Sequence, residues 1–261
     1  MALGPETFLI EHVAGDLADR LGAVLRRFDL AADLATPTEA VRRALAQSPS
    51  VGTMVAVGAN ADHLENHAGP KVVADEEALP FKDASLDLVV SALALQAVND
   101  LPGMLVQIRR ALKPDGLFLA ALLGGDTLIE LRESFAAAEM EIEGGVSPRV
   151  APFADVRTMG ALLQRAGFAL PVTDVDRINV RYLSPLALMQ DLRRMGATNP
   201  LVERRRTPLR RLTLARMMEI YGERFGDPDR KVRATFEIVW LSGWAPHESQ
   251  QKPLAPGTAR A

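Results

Sequence analysis

The sequence predicts an α/β fold, a mostly parallel sheet with helices on both faces, and three observations carry that prediction. Leu86-Asp-Leu-Val-Val-Ser-Ala-Leu93 is a nearly continuous apolar run of strand length. Continuous rather than alternating apolarity marks a strand covered on both faces. The period then changes, with Leu101, Leu105, Ile108 and Leu112 recurring at helical spacing. Leu117-Phe-Leu-Ala-Ala-Leu-Leu123 returns to the buried-strand pattern. Strand, helix and strand in such close succession make a right-handed crossover unit.

The other elements follow in chain order. The first 27 residues read as a helical segment. Arg27–Leu34 and Thr53–Val57 are strand candidates around a helix from Pro37 to Ala46, and Lys71–Ala74 is a short β-branched strand. Asp100–Leu112 is helical, with Pro102 tolerated in the first turn. Lys113-Pro-Asp-Gly116 is a turn in which Pro presets φ and Gly116 accepts a positive one. Thr127 and Glu130 have the spacing of a capping box opening a helix. Further helices are expected at Val156–Ala166, Pro185–Met195 and Pro208–Phe225. Two more polar strands, Val172–Tyr182 and Thr235–Leu241, have the alternation of an edge pair. The reading is one domain over 1–248 with a helical insertion near 184–226, then a loose tail over 249–261.

Composition narrows the function classes. The 261 residues are 48% hydrophobic, enough for one domain with a sizeable core. Thirty basic against 33 acidic side chains leave a net charge of −3, so no global field gathers polyanions and nucleic-acid binding is not expected. There is no cysteine, hence no disulfide or thiolate metal site. No apolar stretch reaches membrane-span length, and the first 19 residues lack the basic character of a leader. The expectation is a cytoplasmic protein.

Five strings then fit a known pattern: Val73-Ala-Asp-Glu-Glu-Ala-Leu-Pro-Phe81, Leu86–Leu93, Val98-Asn-Asp-Leu-Pro102, Leu112-Lys-Pro-Asp-Gly-Leu-Phe118 and Gly124-Gly-Asp-Thr-Leu128. With Ser147–Phe153 and Gly243–Ser249, they make the chain resemble a class I S-adenosylmethionine methyltransferase. It is most similar to bacterial relatives of the mitochondrial complex I assembly factor with a methyltransferase domain. More distantly it resembles the malonyl-carrier-protein methyltransferases of biotin synthesis. The resemblance implies a Rossmann-like seven-stranded sheet with S-adenosylmethionine across the carboxyl ends of its strands. It implies action on, or assembly of, a protein partner such as a respiratory complex I subunit, and for some relatives hydroxylation of an arginine.

Carried over residue by residue, the resemblance assigns Asp33 to the acidic end of the first strand and Ala35 to the cofactor turn. Gly58 takes the ribose position, Asp75 the adenine position with Glu76 and Glu77 beside it, and Ser91 the end of the fourth strand. The departures are specific. Ala35 and Pro37 stand where glycines are expected, Gly58 where a carboxylate is expected, and Gln96-Ala97 where relatives carry His-Trp. Asn60 and Asp62 are substitutes for the missing carboxylate. Thr36-Pro-Thr-Glu39 also reads as a capping box that satisfies its own helix start.

Other candidates have plainer readings. His63 and His67, at i and i+4, read as an exposed helix face rather than zinc ligands, so no metal is expected. Asp126 reads as a helix-start residue favoured by the macrodipole. Arg204, Arg205, Arg206, Arg210, Arg211 and Arg216 read as a solvated helix face, with a docking surface for an acidic protein as the alternative. Two functions stand side by side: a cofactor-dependent transferase, and a cofactor-free pseudoenzyme retained as a binding or assembly factor.

Overall fold

The computed structural model describes residues 7–65, 67–153 and 155–250, without the side chains of Asp62 and His63. Residues 251–261 of the expected tail lie outside the described residues. Helix α1 (Phe8–Gly22) leads to β1 (Phe28–Leu34), α2 (Ala40–Leu45) to β2 (Val51–Gly58), and the single turn α3 (Ala61–Leu64) to β3 (Lys71–Val73). Next come β4 (Leu86–Ala92), a 3-10 turn at Leu95–Ala97, α4 (Leu101–Ala111) and β5 (Leu112–Leu123). The chain continues through α5 (Ile129–Glu143), α6 (Val156–Arg165), β6 (Ala169–Tyr182), α7 (Pro185–Arg194), α8 (Arg211–Phe225) and β7 (Val232–Trp244).

The strands form one seven-stranded sheet in the order β3-β2-β1-β4-β5-β7-β6. β1 to β5 run parallel, and β7 is antiparallel to both of its neighbours. The connections reverse direction between β1 and β4. That is the switch point where open α/β sheets place ligands beyond the carboxyl ends. Helices α1, α2, α5, α7 and α8 bury their apolar stripes in the core on one face. Helices α4 and α6 do so on the other. On α1, Val13, Leu17 and Leu21 are all fully buried at i, i+4 and i+8. Each such leucine contributes about 1.5–3 kcal/mol of transfer free energy, enough to dock the segment firmly.

Three local expectations are corrected by long-range pairing. First, β7 is not an edge strand: it lies between β5 and β6, almost continuously buried, while β6 alone is the alternating edge. Second, Lys113-Pro-Asp-Gly116 is a bulge inside β5 rather than a free turn. Leu86 faces Leu112 and Leu88 already faces Leu117. Asp115, not Gly116, takes the positive φ, 67°. Gly116 is needed for closeness, since a Cβ there would stand 2.9 Å from the Lys113 carbonyl oxygen. Third, Thr127 and Glu130 do not form a capping box. The Thr127 hydroxyl donates to the Glu237 carbonyl at 3.1 Å, and Glu130 accepts from the Thr235 amide at 3.1 Å and hydroxyl at 2.6 Å. Both side chains are spent on β7, and α5 starts behind Leu128 at φ 55° instead.

Candidate functional site

Strand register gathers the candidate residues along one edge. Asp33 lies level with Ala56 and Val90, Leu34 with Val57, and Gly58 with Val73. The Asp33–Thr36 turn, Gly58, the Asp75–Glu77 turn and Ser91-Ala92 therefore share the carboxyl ends of β1 to β4.

Asp33 is the chemical centre of that edge. It is 2% exposed, and its Oδ1 accepts a hydrogen bond from the Thr36 hydroxyl. Its Oδ2 is buried with no partner. Burial pushes its pKa up to about 7, against the opposing effects of the Thr36 hydroxyl and the Arg42 guanidinium. Thr36 is thus not the N-cap of α2. Its oxygen also accepts from the Ala92 amide at 3.1 Å, so it stitches the turn to the end of β4. The start of α2 is supported instead by Thr38, whose hydroxyl accepts from the Ala40 amide at 3.2 Å. Because Asp33 and β4 claim the Thr36 hydroxyl, the local capping pattern is never formed.

Ala35 holds φ at 57°, the left-handed region that favours glycine. The backbone keeps the shape associated with a glycine turn although the residue is alanine, at a cost of about 1 kcal/mol. Pro37 is exposed. Ser91 is fully buried and donates its hydroxyl to the Leu34 carbonyl at 2.8 Å, so its side chain braces the turn from behind. Gly58 is buried, yet a Cβ built there meets nothing nearer than Leu64 Cδ2 at 3.6 Å. A Cβ would therefore fit there without a clash, in ordinary contact with Leu64.

Across the edge, exposed Asp75 accepts the Glu77 amide at 2.8 Å through Oδ1. Glu76 is half-buried and makes no hydrogen bond or ion pair among the described residues. Glu77 does more than its sequence position suggested. Its Oε1 accepts the Asn99 and Asp100 amides at 2.8 and 3.1 Å, fixing the approach to α4. Gln96 turns inward, its amide donating to the Leu93 carbonyl at 2.6 Å. Two shallow depressions lie away from the Asp33 turn. One is flanked by Asp83, Arg109 and Pro246 at the amino ends of the strands, the other by Leu64, Lys71 and Val73 beside β3.

Sequence reasoning missed Arg42, whose charge acts on Asp33 and whose Nη1 is buried without a partner. Nothing in the local pattern of α2 marks it. His67 is 4% exposed and follows α3 rather than lying on an exposed helix face, which corrects that reading. The side chain of His63 lies outside the described residues. Among the described residues no group of three His, Cys, Asp or Glu is placed to hold a metal. Asp126 is paired with Arg177, three residues ahead of Ile129, the first residue of α5.

Comparison with known proteins agrees with this architecture. The methyltransferase domain family matches residues 32–120. The solved YcgJ protein of Bacillus subtilis superposes with a TM-score of 0.60 at 16% identity, over 90% of this chain and 99% of its own. Fold and strand order thus define a Rossmann-like class I methyltransferase fold. The "Arginine-hydroxylase NDUFAF5, mitochondrial" of Danio rerio is 40% identical over 257 residues, 97% of this chain and 79% of that protein, and the chain belongs to its family. A malonyl-acyl-carrier-protein O-methyltransferase of Xylella fastidiosa (strain M23) is 39% identical over 175 residues, 67% of this chain and 57% of that protein.

Proposed function

We propose that this chain binds S-adenosylmethionine at the Asp33 turn and acts on, or assists the assembly of, a protein partner such as a respiratory complex I subunit. One observation carries the cofactor part: a nine-tenths buried carboxylate whose second oxygen the fold leaves unsatisfied. Such an atom is costly unless something else completes it. When bound, the cofactor supplies an electrophilic methyl group on a sulfonium. Asp33 would offer the acceptor at the turn, the Ala35 backbone the close approach, and Asp75 and Glu76 the far rim, with Ser91 bracing the turn. No nucleophile or acid–base pair is among these groups, so the chain's contribution is positioning. That the partner is a protein, with arginine as one acceptor class, rests on the family relationship and on the relative's name.

The second reading is a cofactor-free assembly factor on the same fold. Pro37, which offers no amide, and Gly58, which offers no carboxylate, favour it.

Thermal shift with S-adenosylmethionine and S-adenosylhomocysteine separates the two. A ligand at 100 times its Kd stabilises the native state by about 2.7 kcal/mol, several degrees for a domain of this size. The expected result is a shift that Asp33→Ala abolishes and Asp75→Ala weakens. Gly58→Asp should tighten binding about tenfold by restoring an acceptor for ribose hydroxyls, the worth of one charged hydrogen bond. No shift at millimolar ligand in the unmodified chain overturns the cofactor reading.

A further inference from the structure

The arginine cluster of the insertion resolves into two groups. Arg205 pairs with Glu143 at the end of α5, and the Thr213 hydroxyl donates to the same carboxylate at 2.7 Å. Arg216 reaches Glu141 at 2.7 Å and Glu219 at 3.3 Å. These two arginines are structural: Arg205 fastens the α7–α8 connection to α5, and Arg216 fastens α8 to it. Arg204, Arg206, Arg210 and Arg211 are exposed. Among the described residues the side chains of Arg206 and Arg211 make no hydrogen bond or ion pair, and that of Arg204 reaches the Leu201 carbonyl at 2.8 Å.

This surface is unfavourable for the chain on its own. Arg210 is the N-cap of α8 and Arg211 its first residue, with no side-chain cap and no acidic residue in the first turn. Cations there oppose the helix dipole and repel one another. A solvated face would gain by carrying acids at those positions. Val202 and Leu212, 74% and 64% exposed, lie in the same stretch of chain. All six cations are arginine and none is lysine. The planar guanidinium fork favours carboxylates, and Arg205 with Glu143 shows that chemistry at this place within the chain.

We infer that the exposed arginines of the α7–α8 connection and the first turn of α8 form the docking site for an acidic segment of a protein partner. Charge complementarity names the occupant: a run of carboxylates would meet four exposed guanidinium groups and place negative charge at the N-terminus of α8. Two isolated apolar side chains, with no continuous apolar face, make a membrane the poorer fit. The inference is independent of cofactor binding.

The test is fluorescence anisotropy of a labelled decaglutamate peptide with the full chain at about 50 mM salt, where surface charge is weakly screened. The expected result is saturable binding that Arg206→Glu/Arg211→Glu weakens at least tenfold and Arg206→Gln/Arg211→Gln weakens less. The control Arg157→Glu/Arg165→Glu makes the same charge change on α6, across the sheet, and should stay within about twofold of the unmodified chain. Both arginines of the first pair are exposed, and an acid at the start of α8 suits the helix dipole, so its melting temperature should be no lower than that of the unmodified chain. Absence of peptide binding, an equal loss in the control, or tighter binding of phosphatidylserine vesicles or a 20-nucleotide single-stranded RNA than of the peptide overturns the inference.

Discussion

The carboxylates buried around α5 and β7 contrast with the one at the end of β1. Glu139 is fully buried, and it accepts from the Ser147 amide at 2.7 Å, the Ser147 hydroxyl at 2.8 Å and the Arg149 guanidinium at 2.5 Å. Glu130 is held by Thr235 through two hydrogen bonds, and Glu237 accepts from the Arg177 guanidinium at 3.2 Å. In each, the cost of removing charge from water is offset by partners the fold itself provides. Asp33 is buried to the same degree, with a single hydroxyl on one oxygen and nothing on the other. Burial alone therefore does not set Asp33 apart from these carboxylates. The unfilled lone pair does.

The largest expected effect tests the satisfied side. Glu139→Ala strands Arg149 and should destabilise the protein by about 3–5 kcal/mol, the cost of breaking a buried pair. Thermal unfolding should show a loss on the order of 10 °C. A change of only a degree or two would mean that the pair is solvated and the contrast false.

Asp33→Asn should move stability the other way. The folded pKa of Asp33 is raised above that of the unfolded chain, so the native state binds the extra proton between about pH 4 and pH 7. The stability this group contributes is complete below the unfolded pKa and is lost as pH rises through about 7. Asparagine keeps an acceptor for Thr36 without the charge. The variant should therefore be more stable than the parent by a few kcal/mol at pH 8, with the advantage gone near pH 4. A pH-independent difference would remove Asp33 as the source.

The smallest effect is two residues further on. Ala35→Gly relieves the left-handed backbone and should add about 1 kcal/mol, or 2–4 °C. A loss of stability instead would show that the turn relaxes to another conformation when freed.

The sequence made the strand–helix–strand unit from Leu86 to Leu123 legible because its signals are local: apolar runs, helical spacing and Asp100, whose carboxylate accepts the Gly103 amide at 2.9 Å. The candidate edge was legible only through the family resemblance, which assigns its residues to the strand ends. What could not be read was the destination of side chains with two possible partners. Thr36 and Thr127 both sit in capping-box strings, yet each is claimed by a residue or strand from elsewhere in the chain. Local spacing shows what a hydroxyl can do and not which competitor reaches it first. The interior place of β7 was hidden in the same way, since its strand-by-strand neighbours are set by topology rather than by its own pattern.

Asp115 has a consequence for how the protein is made. Arg26, from the linker after α1, bonds to its carboxylate and, at 3.1 Å, to its carbonyl. Gln250 donates to the same carboxylate at 2.8 Å, and Arg26 also lies 5.2 Å from the ring of Trp244. One bulge in β5 thus clasps an early and a late stretch of the chain together. During synthesis Arg26 emerges long before Gln250, so the clasp closes only when the last strand has been delivered and threaded between β5 and β6. Until then β5 presents an open edge. Between the emergence of β5 and that of β7 this edge is open to pairing with the wrong strand.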